Sequence, residues 1–228
     1  MNKKRLTRRH FLSLSGLFLG TCAMGGISAT VFLNTAETTD LNAPVGFPQA
    51  VLGEENMEKK ILVTYASASG STGGVAEIIG KKLNEKGLFV SIQNVQSVTS
   101  LDGYDAVILG SAIHGGKWLP EAADFLTANQ AHLNKIPTLF FLVGLMVNKD
   151  TEADRKLVDQ FLAPQRALVK PAAEGRFVGA LFTKNYPFFV GLGMRFFIAY
   201  CGLGLSDGDF RNPAVIRTWA EDIYPLLT

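Results

Sequence analysis

Acidic residues are missing from the start of this 228-residue chain: the first is Glu37, whereas Lys3, Lys4, Arg5, Arg8 and Arg9 all fall within the first ten positions. Cysteine is scarce, with only Cys22 and Cys201, so a cysteine-ligated zinc or iron–sulfur centre within one chain is excluded. The three histidines, His10, His114 and His132, are scattered and share no metal-ligand spacing. No Gly-x-Ser-x-Gly occurs and no Ser-His-Asp constellation can be argued, so no catalytic residue and no metal ligand is assigned. A Gly-Lys-Ser/Thr P-loop and a Gly-x-Gly-x-x-Gly dinucleotide fingerprint are both missing as well.

What the first 36 residues do contain is a basic start followed by an apolar run, residues 11–33, with interspersed Gly, Ser and Thr. Thr7-Arg8-Arg9-His10-Phe11-Leu12 resembles the twin-arginine export motif, which makes the twin-arginine translocase an expected partner. That route moves folded proteins, so a cofactor can be inserted before transport. Residues 1–36 are then a cleaved signal, or an anchor, since residues 11–33 are long enough to span a bilayer. Either way the protein is expected in the periplasm or on the outer face of the cytoplasmic membrane. Residues 37–58, with Pro44 and Pro48, read as a linker, and residues 59–228 as the folded domain. Without the first 36 residues, 17 basic side chains face 20 acidic ones, a net charge of −3. The excess of positive charge belongs to the leader, and nucleic-acid binding has no electrostatic footprint.

The domain is organised around residues 60–74. Ile61-Leu-Val-Thr-Tyr-Ala66 alternates too little to face water on one side and reads as a central parallel strand. It leads into Ser67, Ala68, Ser69, Gly70, Ser71 and Thr72, and Gly73-Gly74 opens a helix. Hydroxyls, glycine geometry and the N–H groups of a helix start converge there and suit a phosphate; the alternative is a polar strand-to-helix turn with an N-cap. No lysine or arginine lies in the loop, so a phosphate is held by hydroxyls, amides and the helix dipole.

Further elements alternate. A helix over 75–86 stops at Gly87, with strands at 88–95, 105–110, 137–144 and 175–181 and helices at 119–132, 151–169 and 214–227. The alternation predicts an α/β fold with a doubly wound, five-stranded parallel sheet, whose carboxyl edge is the ligand side. A second loop on that edge contains Gly110, Ser111, Ala112, Ile113, His114, Gly115, Gly116, Lys117 and Trp118. Its glycines would let backbone approach a flat ring, and Ile113 and His114 could line the ring. Trp118 lines the ring too, or anchors the following helix on the core.

Three stretches carry a resemblance across residues 60–226: Tyr65-Ala-Ser-x-x-Gly-Ser-Thr72, Tyr104-Asp-Ala-Val-Ile-Leu-Gly-Ser-Ala-Ile-His-Gly-Gly-Lys-Trp-Leu-Pro120, and Gly208-Asp-Phe-Arg-Asn-Pro-Ala-Val-Ile-Arg-Thr-Trp-Ala220. Together they are similar to the flavodoxin-domain family that contains menaquinone-dependent protoporphyrinogen IX dehydrogenase. The resemblance implies a flavodoxin-like strand order of 2-1-3-4-5 and FMN as cofactor. It implies that Ala68 to Thr72 hold the FMN phosphate, that Ser111 to Lys117 border the isoalloxazine, and that the loop from Gly144 and Leu145 to Lys149 is a third contact. It implies, finally, an oxidoreductase in which flavin N5 accepts hydride and a quinone takes the electrons onward. The alternative is an exported flavodoxin-type carrier with no small substrate of its own. An export signal sits poorly with a cytoplasmic haem-biosynthetic substrate. Residues 186–205 are apolar with Arg195 as their only charge, and they read either as a core helix or as a helix lying in the membrane interface.

Overall fold

Strand β2, Lys60–Ala66, is buried along six of its seven residues. A strand with no polar face has to lie inside a sheet covered on both sides, and the sheet has that form. The computed structural model describes residues 47–148, 151–183, 188–200 and 207–228. The chain divides into a larger unit, Ala43–Leu181 with Gly208–Thr228, and a smaller one, Met1–Asn42 with Phe182–Asp207.

In the larger unit the order is β1 Ala50–Leu52, β2, α1 Ser71–Glu85, β3 Phe89–Asn94, β4 Ala106–His114, β5 Lys117–Trp118, α2 Pro120–Ala128, α3 Gln130–Leu133, β6 Thr138–Val143, α4 Glu152–Gln160, α5 Ala163–Arg166, β7 Glu174–Phe177 and β8 Ala180–Leu181. After the smaller unit's helix α6, Phe188–Tyr200, come β9 Gly208–Asp209 and α7 Pro213–Ile223. The main sheet runs β1-β3-β2-β4-β6-β7, and β8 pairs with β9 separately. Pairings β3-β2, β2-β4, β4-β6 and β6-β7 are parallel. Counting those five strands alone in chain order gives 2-1-3-4-5, as expected.

Each face of the sheet has its own core. Ile61, Val63 and Tyr65 of β2 point with Ile79 and Leu83 of α1 and Ile216 and Ala220 of α7 into one cluster. Leu62 and Ala66, the alternate residues, join Ala122, Leu126, Val158 and Leu162 from α2, α4 and the turn after it in the other. Helix α1 lies close on β3 because Gly80 has no side chain: a Cβ there would come 2.6 Å from Ile92 Cδ1. It ends as anticipated at Gly87, φ 91, with the Leu88 N–H donating to the Leu83 carbonyl.

Several expected elements are split. The helix foreseen over 119–132 divides at Asn129, whose side-chain amide donates to the Phe125 carbonyl. The one foreseen over 151–169 divides into α4 and α5 because Pro164 lacks the N–H that a continuous helix needs. The strand foreseen over 175–181 becomes β7 and β8, and the last helix ends at Ile223 with a 3-10 turn over Tyr224–Leu226. Part of the expected linker is structured: β1 extends the sheet, antiparallel to β3. Residues 11–33 lie outside the described residues. Among those described, no helix is long and apolar enough to cross a membrane.

Beyond the sheet's far edge, Arg166 reaches both Asp159 (Nη2 to Oδ1, 2.7 Å) and Glu174 (Nη2 to Oε2, 2.6 Å), and Arg176 donates to Asp159 at 2.8 Å. The Arg166 guanidinium holds the Asp159 carboxyl below the usual range. In the smaller unit, α6 buries Gly191 and Ile198, while Leu192, Arg195, Phe196, Ala199 and Tyr200 are exposed. The exposed positions follow an i, i+3, i+4, i+7, i+8 spacing and so share one face.

Candidate functional site

The first turn of α1 has no side-chain N-cap and no acidic residue. Its leading N–H groups have no intrahelical partner and open outward at the carboxyl edge of the sheet, just beyond the end of β2. The loop before it is set by one backbone torsion and one hydrogen bond. Gly70 takes φ 89, a left-handed conformation, and its N–H donates to Ser67 Oγ at 2.9 Å. Ser67 therefore shapes the loop. Ala68 and Ser69 are half-buried, and Ser71 is buried.

Thr72 is the informative residue. It is 0% exposed, yet its Oγ1 has no hydrogen-bond partner. A buried hydroxyl left unpaired costs about 1–3 kcal/mol, so its retention at a helix start with open N–H groups suits an anionic ligand that would accept from it. This chemistry fits a phosphate group held without lysine or arginine, as the loop's composition implies.

The second stretch differs from the expected loop. Strand β4 continues to His114 and turns back into β5, pairing Ile113 with Trp118 and His114 with Lys117. Gly115 and Gly116, at φ 57 and 75, form the two-residue hairpin turn, which demands positive φ at both positions. Ser111 is spent on the fold: its hydroxyl donates to the Ala112 carbonyl and accepts from the Leu119 N–H. Gly110 serves packing, since a Cβ there would sit 2.0 Å from Phe141 Cζ. Trp118 is 4% exposed and meets Phe140 edge-on at 5.3 Å, which makes it a core anchor. What the hairpin offers outward is Ile113, half-buried, with exposed His114, Gly115 and Lys117. His114 reaches solvent, but the protein packed around it desolvates the imidazole and lowers its pKa, leaving it neutral at pH 7.

Sheet register joins the three segments. Ala66 pairs with Ser111, and Ala112 with Val143, so the ends of β2, β4 and β6 are neighbours at the carboxyl edge. Gly144 follows directly, and a Cβ on it would lie 3.4 Å from Ile113 Cβ. Leu145 begins a 3-10 turn, Leu145–Asn148, with no buried residue, and Lys149 lies outside the described residues. Ile113 and Leu145 thus both lie at this edge, one on the hairpin and one on the turn.

Three contributors escaped sequence reasoning. Gly179 packs against the phosphate-type loop, where a Cβ would be 3.0 Å from Val143 Cγ1 and 3.3 Å from Ser71 Oγ. Glu121, in the first turn of α2 just after the hairpin, has a buried Oε2 with no partner, and burial pushes its carboxyl up, with the Asp124 charge adding to it. No signal in one sequence marks either. The third is the stretch around Pro48, whose carbonyl accepts from Tyr65 Oη at 3.0 Å.

A family model described as a flavodoxin domain matches residues 62–199. A Bacillus subtilis (strain 168) protein named probable flavodoxin 1 is 37% identical over 89 residues, which are 37% of this chain and 56% of that protein. The chain thus spans a little over half the length of this curated relative. Similar solved structures include a flavodoxin of Streptococcus pneumonia TIGR4, with 18% identity and TM-score 0.46 over 73% of this chain and 98% of the other. Another is a flavodoxin from the domain Archaea, with 18% identity and TM-score 0.42 over 72% and 98%.

Proposed function

This chain belongs to the flavodoxin domain family, and from that premise we propose that it is an FMN-dependent oxidoreductase that takes reducing equivalents from an organic donor of the protoporphyrinogen type and passes them to a quinone. Flavodoxin family homologues bind FMN. The observation that carries the reading is the buried, unpaired Thr72 hydroxyl beside the uncapped start of α1. FMN, when bound, supplies reversible acceptance of electrons and protons. The chain's own residues do the rest. Thr72, Ser69 and the amides of the loop would hold the phosphate, Gly70 gives the loop its turn, and Ile113 and Leu145 would border the ring. Neutral His114 stands at the hairpin as a hydrogen-bonding group that adds no fixed charge.

The test is the visible spectrum of the purified protein followed by anaerobic turnover of protoporphyrinogen with a menaquinone analogue. Flavin absorbance with quinone-dependent turnover is expected. Flavin absorbance without turnover of any reduced donor favours the second reading, an exported electron carrier, toward which the likeness to a probable flavodoxin leans. A net charge of −3 beyond the leader is small for a protein that docks basic redox partners, and it weighs toward the enzyme.

We place the protein on the outer side of the cytoplasmic membrane by the twin-arginine route, on the strength of Arg8-Arg9 and the apolar residues 11–33. Arg8→Lys with Arg9→Lys keeps the charge and removes the motif, so flavoprotein is expected to accumulate in the cytoplasm. Unchanged export of that variant refutes the route. The exposed face of α6 is the proposed lipid contact: Leu192, Phe196 and Tyr200 are 40%, 69% and 61% exposed, and Arg195 is its one charge, suited to anionic headgroups. Leu192→Ser with Phe196→Ser should cut co-sedimentation with anionic vesicles several-fold without altering the flavin spectrum.

A further inference from the structure

Strand β1 and the residues that flank it lie along helix α1 from one end to the other. At the front, the Pro48 ring faces Gly73 in the first turn of α1, where a Cβ would come 2.8 Å from Pro48 Cδ and 2.9 Å from Tyr65 Cε2. The Pro48 carbonyl accepts a 3.0 Å hydrogen bond from Tyr65 Oη, and Tyr65 is 0% exposed. At the back, Gly53, at φ 90, faces the far end of α1, where a Cβ would lie 2.7 Å from Asn84 Nδ2. The lengths agree: five extended residues from Pro48 to Gly53 cover about 16 Å, and so do eleven helical ones from Gly73 to Asn84. Between these ends β1 pairs with β3, and Gln49 Nε2 donates to Ser97 Oγ.

The strap therefore grips the same helical turn that presents its N–H groups to the phosphate. Gly73 follows Thr72 directly. One side of the turn packs on Pro48 and Tyr65, and the amides at its open end serve the ligand. Both contacts bear on one turn, so each favours the arrangement that the other needs.

We propose that residues 47–53 form a cofactor-responsive clasp, in which docking of the strap and occupancy of the phosphate loop reinforce each other. Tyr65 is a positioning residue in this device. The clasp rests on the reading of the loop as an FMN phosphate site. Its consequence is reciprocal: a loosened strap weakens FMN, and bound phosphate steadies the strap.

Hydrogen exchange of the full-length protein tests it, with FMN, riboflavin and inorganic phosphate as separate probes. FMN is expected to slow exchange of the β1 amides about tenfold, with phosphate having the same effect at higher concentration and riboflavin none. Tyr65→Phe, which keeps the ring and loses the bond to Pro48, should weaken FMN about 3- to 10-fold, leave riboflavin unchanged and speed β1 exchange. Gln49→Ala, a surface change, should do the same more weakly. A strap that is only structural would exchange identically with and without FMN, and the variants would weaken FMN and riboflavin alike. FMN binding with unaltered β1 exchange overturns the clasp and spares the cofactor assignment. Absence of FMN binding overturns both.

Discussion

Thr72→Val is expected to weaken FMN by about 10- to 150-fold while leaving riboflavin affinity where it was. The range follows from a hydrogen bond to a charged acceptor, worth about 1.5–3 kcal/mol. The substitution keeps the branched shape and replaces a hydroxyl that has no partner in the protein with a methyl. For that reason the protein without ligand should be no less stable, and its urea midpoint should stay or rise. The pair of results is diagnostic, because a hydroxyl that matters only for packing would lower stability and affect both ligands together. Titration of flavin fluorescence gives the affinities, and equal losses for FMN and riboflavin would remove Thr72 from the phosphate site.

Gly110→Ala should cost about 3 kcal/mol or more of folding stability. A Cβ at this position lies 2.0, 2.2 and 2.3 Å from three ring atoms of Phe141. Gly110 sits in β4 with Tyr65 paired on one side and Phe141 on the other, so the backbone is held by two ladders. Phe141 is 0% exposed and packs on Phe177 with centroids 6.3 Å apart, so its ring has no vacant space to take. Ordinary overpacking costs about 1–3 kcal/mol, and this contact belongs at or above the upper end. Against a total of about 5–15 kcal/mol the loss is large. Urea unfolding measures it. Trimming the ring with Phe141→Leu in the Gly110→Ala background should recover part of the loss, with a coupling of about 1–3 kcal/mol. A single-variant loss below about 0.5 kcal/mol would show that Phe141 moves freely.

Strand identity was legible because β2 has no polar face and because apolar runs alternate with amphipathic ones at helix length, and strand order because three stretches resemble a known family. The glycine at position 87 announced the end of α1 by the same local logic. Breaks at Asn129 and Pro164 were legible in principle, since each has a local cause, a side-chain amide or a missing N–H. The hairpin of residues 113–118 was less so. Gly115-Gly116 reads equally as an open loop for a ring or as a tight turn, and only the pairing of His114 with Lys117 distinguishes the two.

From the amino-acid order alone came the α/β class and a phosphate-type loop free of basic residues, because both rest on periodicity and on residue types adjacent in the chain, while the 2-1-3-4-5 arrangement came from the family resemblance of three stretches. Tertiary structure decided what each side chain is used for. Ser111 and Trp118 turned inward to the fold, Gly110 made room for Phe141, and Thr72 was left buried without a partner. It also drew Pro48 onto Tyr65 and Gly73, 17 positions from the former. Such contacts depend on distances between residues far apart in the chain, and these are set by how sheet and helix pack. A linear pattern carries no record of which hydroxyl finds a partner or which glycine faces a ring.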